Sequence, residues 1–486
     1  MKKIPIKKEI IIIIFGILLN FLASHYNLSK FDKIYKNYDG QSYNQITGSD
    51  LLDTWEFAET FRKKISETNN FFESLPHFER FYLPSIIVGY YYYLIDKEIY
   101  ETIETGEKVV KVDNYKLGLL LIQILSYYFV IYLFVKTLKE KYKINYSLIL
   151  LSFLSFEPTI IQWHHSFWSE SFFITMMLFL FYLLIKNSNN FWLNFIIGIL
   201  VALMFAQRAV TFFYILPVMI YFIFINKRNL KSLIFLILGF ASLMFFIGYN
   251  NYDKTGNFYL IPSKHQYYSY YYYFGTRIYA DTHNISHEKA HDILDLEEKK
   301  WREDNNLYPE LEKEYNANKA RDNLKLNKDY LKAIDYRNKK FIEIAISNPI
   351  YVSKLFIKRV LLMSQFSPTW VNQSYNNDRT SPEAKFNTAE YYNRNFIRNI
   401  FYSLCVYSFV MVGFLNFLKE LVFEKKYSNQ NKFLIFQIIS ISYFVAISGF
   451  WGNPKYFVPC IISLSFFFAR GLNLSILFLK KNKEIE

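Results

Sequence analysis

Cysteine is nearly missing from this 486-residue chain. Cys405 and Cys460 are the whole complement, so no disulfide framework is available. Both fall inside apolar stretches and are expected to behave as small buried hydrophobes. Glycine and proline are sparse, at 15 and 12 residues, which excludes a collagen-like repeat, a flexible tail and a disordered chain. Acidic residues are outnumbered 42 to 56 by Lys and Arg, leaving a formal charge of +14. Such an excess suits nucleic acid in some proteins. Here it lies beside apolar runs, so it reads as a membrane-orientation signal, and no nucleic-acid partner is expected. Internal repeats are not evident.

Hydrophobic residues make up 52% of the chain, with 50 Phe and 42 Tyr, and they are clustered. The lysine-rich start MKKIPIKK leads into an apolar run at 9–26 with no small-residue cleavage site after it. This is expected to be an uncleaved first membrane helix. Further runs lie near 115–135, 145–163, 170–186, 191–207, 210–226, 231–249, 396–418, 432–451 and 456–479. A helix needs about 20 mostly apolar residues to cross the hydrocarbon core. The expected fold is therefore an all-α polytopic membrane protein of about ten transmembrane helices, with interfacial helices and two extracytoplasmic loops.

The expected parts are a first helix in 1–26, a loop at 27–114, helices two to seven in 115–249, a larger loop at 250–395 and helices eight to ten in 396–486. Lysines crowd alternate connections, at Lys136, Lys139, Lys141 and Lys143, then Lys227, Arg228 and Lys231, then Lys419, Lys425, Lys426 and Lys432, then Lys480, Lys481 and Lys483. The three short turns on the other side hold only Arg208 and Lys455. This asymmetry places both termini in the cytoplasm of a plasma or inner membrane.

The loops carry structure of their own. FYLPSIIVGYYYYLI (81–95) is too short to span and is expected to lie in the interface. IYETIETGEKVVKV (99–112) alternates about Thr105-Gly106 as a hairpin would. The second loop has a helical pattern from 286 to 345. The amphipathic segment 348–366, with Lys354, Lys358 and Arg359, reads as a second interfacial helix.

Polar and ionisable residues near the spans gather at the outer ends: Glu157, His164, His165, Glu170, Gln207 and Arg208, with Asp39, Asp50, Asp53, Glu79 and Arg80 in the first loop. The middle of the spans looks nearly uncharged, unlike the midplane sites of secondary transporters. Carboxylates and arginines at headgroup depth suit a sugar carried on a polyprenyl phosphate. Arginine grips phosphate with a bidentate fork. Phosphate leaves without needing an acid, so one carboxylate suffices to take the proton of an attacking hydroxyl. Attack opposite the leaving group inverts the anomer.

Several segments together resemble the GT-C superfamily of integral-membrane glycosyltransferases, of the protein O-mannosyltransferase and aminoarabinose-transferase type. They are YDGQSY (38–43), HFERFYLP (77–84), FEPTIIQWHHSFWSESFF (156–173), AQRAVTFFYILP (206–217) and NPKYFVP (453–459). The resemblance covers most of residues 1–260 and the last 40. It implies Asp39 as the catalytic base, with Asp53 and Asp50 as alternates, and Glu170 at the site rim. It also implies Arg208 and Arg80 as donor-phosphate ligands. Lys264, with His265 beside it, is a further phosphate candidate. The implied partners are a polyprenyl-phosphate sugar donor, a lipid, glycan or protein acceptor, and membrane lipids. No particular cofactor is implied, and a divalent metal is left open. The proline doublet usual after the basic residue is missing at Arg80.

Plainer readings stand beside these. Asp39 also reads as a solvated loop carboxylate, Arg208 as a snorkelling helix-end arginine, Arg80 as an interfacial anchor, and Glu170 as a helix-start carboxylate with Ser169 as cap. His164 and His165 read as interfacial polar residues. The tyrosine runs 90–93 and 267–273 read as an aromatic belt. HEKAH (287–291) fits H-E-x-x-H, with His287 and His291 as zinc ligands, His283 one turn earlier and Glu288 as base. Lys289 inside the motif and the polar surroundings favour a solvated helix face. The alternatives to glycosyl transfer are a lipid or polysaccharide transporter without catalysis and, behind it, a membrane zinc peptidase.

Overall fold

The computed structural model describes residues 7–29, 34–36, 42–44, 52–76, 82–102, 108–110, 114–161, 164, 169–186, 190–225, 230–256, 258–260, 270–307, 324–364, 366, 388–449 and 454–483. Helices cover every apolar run found in the sequence. They begin with α1 (Lys8–Ser29). A short antiparallel hairpin follows (β1, Ile34–Lys36; β2, Ser42–Asn44). The first loop continues with α2 (Leu52–Thr68), α3 (Phe71–Ser74), α4 (Tyr82–Leu94) and a second hairpin (β3, Tyr100–Thr102; β4, Lys108–Val110). That hairpin lies where the alternation about Thr105-Gly106 places it.

The bundle then runs through α5 (Asn114–Tyr142), α6 (Ser147–Phe156), α7 (Pro158–Ile161), α8 (Ser169–Lys186) and α9 (Phe191–Gln207). A broken stretch over Ala209–Ile225 contains α10 (Ile215–Ile220), and α11 (Leu230–Thr255) follows. Among the described residues, five helical segments are long and apolar enough to cross a membrane: Leu117–Tyr142, Leu230–Lys254, Asn399–Phe423, Asn429–Ser448 and Val458–Asn482. This is an α-helical protein of membrane type.

The shorter apolar helices have local causes. Pro158 has no N–H to donate and its ring opposes the turn before it, so the run at 145–163 splits at Glu157 into α6 and α7. Pro217 sits in a stretch that opens as a 3-10 turn over Ala209–Tyr214 and closes as a π-turn over Tyr221–Ile225.

The second loop holds α12 (Thr276–His283), α13 (His287–Asp304), α14 (Leu324–Ser347) and the amphipathic α15 (Pro349–Met363). Its core is partly ionic. Glu298, fully buried on α13, accepts two bonds of 2.7 Å from Arg337 of α14, and Arg302 lies 3.4 Å away. Trp301 stacks on Tyr336 at 4.5 Å. A buried carboxylate needs such partners, because leaving it unpaired costs several kcal/mol, on the order of 3–5.

The chain returns to the bundle with α16 (Thr388–Leu418), α17 (Asn429–Ser448) and α18 (Val458–Lys483). Two helix crossings depend on glycine. In the α9–α11 pair, a Cβ on Gly198 would overlap the carbonyl oxygen of Leu236, and one on Gly239 that of Phe195. In the α16–α18 pair, Gly413 faces the Phe467 carbonyl and Gly471 the Phe409 carbonyl in the same reciprocal way. Helices in lipid gain little from hydrophobic exclusion, so close backbone approach through small residues supplies much of their attraction. The middle of the bundle is filled by rings. Phe134, Phe181, Phe433 and Phe466 meet at centroid distances of 5.4 to 6.2 Å and are essentially sealed.

Three expectations are corrected. Cys405 is exposed, and only Cys460 is buried. On a helix that is apolar all round, an apolar position is no guide to which face packs. The spans are not free of interior charge: Arg470 is buried on α18, 2.5 Å from Glu420, with Asn416 accepting from Nε and Nη2 at 2.9 and 2.6 Å. His164 is not an interfacial residue but is fully buried.

Gly471→Val is expected to push α16 and α18 apart. Thermal unfolding of the purified chain in detergent should show a loss of about 1–3 kcal/mol or more, whereas Gly275→Ala, where a Cβ meets only ordinary contacts, should cost far less.

Candidate functional site

Glu170 lies in the first turn of α8, and Arg208 caps the C-terminal end of α9. These helices pack together and are joined at the far end through 187–190, so the start of one meets the end of the other. Arg208 Nη2 stands 3.2 Å from Glu170 Oε1, and the two side chains are only 5% and 3% exposed. The guanidinium also sits over two rings, 5.7 Å from Phe173 and 5.3 Å from Tyr456. Phe173 is one helical turn beyond Glu170. Tyr456 comes from the 3-10 turn Pro454–Phe457 that leads into α18.

Three separate parts of the chain thus hold one arginine. Its Nη1 is buried and has no hydrogen-bond partner among the described residues. A guanidinium carries five donors in a fixed fork. The carboxylate and rings fix its plane, and one arm remains to bind an acceptor.

Glu157, at the break between α6 and α7, is fully engaged. Its carboxylate accepts from the Thr159 backbone N–H at 3.1 Å, the Thr159 hydroxyl at 2.7 Å and the Tyr402 hydroxyl at 2.6 Å. It caps α7 and ties α16 to α6, so it is a structural acid. His164 lies 3.2 Å from Asn20 of α1 and packs against Tyr127 at 4.5 Å, while its carbonyl accepts from Gln123. It joins α1, α5 and the α7–α8 connection.

The first loop reaches the same end of the bundle. Phe61 and Ile65 of α2 and Ile86 of α4 share a buried cluster with Ala202, Phe205 and Ala206, the last turns of α9 before Arg208. Asn250 of α11 donates to the Pro76 carbonyl at 2.7 Å. Asp53 lies in the first turn of α2, with its side chain outside the described residues. Asp39, Asp50, Glu79, Arg80, His165, Lys264 and His265 lie wholly outside them. The structure therefore brings together Glu170, Arg208 and the helices of the first loop.

Sequence reasoning singled out Glu170 and Arg208 but not their pairing. It missed Tyr456 as the second ring on the arginine, although NPKYFVP had been noted, and it missed Tyr402.

The H-E-x-x-H segment opens α13. The Ser286 hydroxyl accepts from the Lys289 N–H, and Ala290 and Leu294 face inward. His287 and Glu288 are exposed, His287 Nε2 lies 3.1 Å from the Thr276 hydroxyl, and His283 stacks on Tyr279 at 4.0 Å. Among the described residues no group of three or more His, Cys, Asp or Glu is placed to hold a metal. Partial burial, and then the charge of Arg277, hold the His287 pKa below its ordinary 6.5.

Comparison with known protein families and with curated proteins gives no match. The site therefore rests on its own geometry.

Removing Glu170 leaves a buried guanidinium unpaired. Glu170→Ala is expected to destabilise by about 3–5 kcal/mol. The double variant Glu170→Ala/Arg208→Ala should lose less than the two single losses added, by about 0.5–3 kcal/mol of coupling. Thermal unfolding in detergent of the four proteins measures this, and strict additivity would show that the two side chains do not act as a pair.

For His287 the sign is fixed by its depressed pKa. The unfolded chain binds the proton more readily, so stability falls as pH drops through 6.5 towards the folded-state value. Histidine NMR should show His287 titrating below 6.5, and Thr276→Ala should move that midpoint.

Proposed function

We propose that this chain is an integral-membrane glycosyltransferase of GT-C type. It moves a sugar from a polyprenyl-phosphate donor to an acceptor at the extracytoplasmic face, with inversion. The observation that carries the reading is the buried Arg208: its charge is matched by Glu170, its plane is held by Phe173 and Tyr456, and its Nη1 lacks a partner among the described residues. Such a donor suits a phosphate oxygen.

In this reading Asp39 takes the proton from the acceptor hydroxyl as its oxygen bonds to the anomeric carbon. The bond from that carbon to the phosphate oxygen breaks, and its electron pair leaves with the polyprenyl phosphate. Arg208 neutralises the charge gained by the leaving group, Glu170 orients Arg208, and Arg80 and Lys264 are further phosphate ligands. The ten apolar segments form the spans, with both termini cytoplasmic and the Arg208 end outside. The ring-filled core between Arg208 and Arg470 supports a site that is closed towards the inner side, which a transporter would need to breach.

Transfer of labelled sugar from a polyprenyl-phosphate donor in detergent tests this. Asp39→Asn should abolish transfer and leave donor binding nearly intact; full activity in that variant would reject the assigned base. Arg208→Lys keeps the charge but loses the fork, and should weaken donor binding by roughly tenfold, about 1.4 kcal/mol. Absence of transfer by the folded native chain across a panel of polyprenyl-phosphate sugars would reject the function.

A further inference from the structure

Away from Arg208, a cavity of about 670 Å³ lies between α15 and the middle of α16. That volume falls within the range of ligand sites, about 300–1,000 Å³. One wall is a single stripe of α15: Lys354, Ile357, Lys358 and Leu361 recur at the spacing of one helix face. The other wall is α16, with Leu404 and Tyr407.

The floor is stapled. Tyr407 donates to the Ser364 carbonyl at 2.6 Å, and Ser403 accepts from the Phe366 N–H at 2.9 Å. The opposite face of α15 is already used, since Phe356 and Val360 press against Gly449 at the end of α17. The aliphatic walls are not sealed: Ile357, Leu361 and Leu404 are each 60 to 64% exposed. The α16 residues that line the cavity fall in the first turns of the candidate span Asn399–Phe423, which is headgroup height for any helix that crosses there.

We infer that this cavity binds an anionic phospholipid of the bilayer, one acyl chain lying between Leu361 and Leu404 and the phosphate held by Lys354 and Lys358. The two ammonium groups are one turn apart on an exposed face, and neither has an ion-pair partner among the described residues. Among the described residues no carboxylate lines the cavity. Like charges so placed repel each other, and a phosphate relieves both. The lining hydroxyls of Ser364, Ser403 and Tyr407 are already bonded within the protein, so a sugar or other uncharged polar ligand would find few partners. A chain with an anionic head matches both the charged end and the apolar length. The inference is independent of glycosyl transfer and concerns residues outside the Arg208 site.

Native mass spectrometry of the full chain in detergent tests it, with phosphatidylglycerol and phosphatidylcholine of identical chains as probes. The native protein should retain phosphatidylglycerol about 25-fold better, since each of the two lysines near a membrane surface adds about a factor of five for an anionic lipid. K354Q/K358Q should bring the two lipids level, and K354R/K358R should keep the preference. L404W, which fills the groove, should reduce retention of both. Glycerol phosphate, a headgroup without chains, should not compete at equal concentration. Equal retention of the two lipids by the native chain, an unchanged preference in K354Q/K358Q, or full competition by glycerol phosphate would overturn the inference. Folding of each variant is read from the same spectra and from thermal unfolding.

Discussion

A charge cannot stand alone in the interior of a helical bundle, and much of this molecule is arranged around that constraint. Arg208 is buried at the end of α9, so a carboxylate must stand beside it. Glu170 does so only because α8 and α9 run antiparallel with a short connection at the far end. The rings of Phe173 and Tyr456 add attraction that needs no further charge. Tyr456 in turn depends on the turn entering α18, so the last helix must sit against the start of α8 for the arginine to be held. One electrostatic requirement thereby couples the middle and the end of the chain.

The two ends of the bundle meet the same constraint differently. At the lysine-rich end, Arg470 is answered by Glu420 and Asn416, and Asn431 donates to the same glutamate at 3.1 Å. Nearby, Lys141 donates to the last carbonyls of α8 at 2.8 and 3.2 Å, satisfying groups that a helix end leaves open. These contacts lock helices together. At the Arg208 end, by contrast, the first loop packs onto α9 and the helices of the second loop carry their own ionic core at Glu298. Polar loop structure is concentrated where the polar site is.

Much of the fold was legible because apolar run length is a direct physical demand of the bilayer. The apolar runs reappear as helical segments, five of which among the described residues are long and apolar enough to cross a membrane, and the hairpin about Thr105-Gly106 and the amphipathic helix over Pro349–Met363 follow from local pattern alone. What was not legible was lateral. Nothing in the period of an all-apolar helix says that Cys405 faces outward while Cys460 is buried, because such a helix has no polar face to mark its outside. Breaks were legible only in part. Pro158 divides the run at 145–163, which reads as one span, and whether Glu157 would face a ligand or Tyr402 depends on α16, some 240 residues later.

The candidate site divides along the same line. Position along a helix is encoded locally, so Glu170 and Arg208 could be placed at the same end of the bundle from the sequence. Partnership is encoded by packing, so their pairing could not. The pairing changes what the residues can do. A carboxylate 3.2 Å from a buried guanidinium is already committed to orienting that cation. In the proposed transfer the base is therefore sought elsewhere, in the first loop, whose helices α2 and α4 pack against the end of α9.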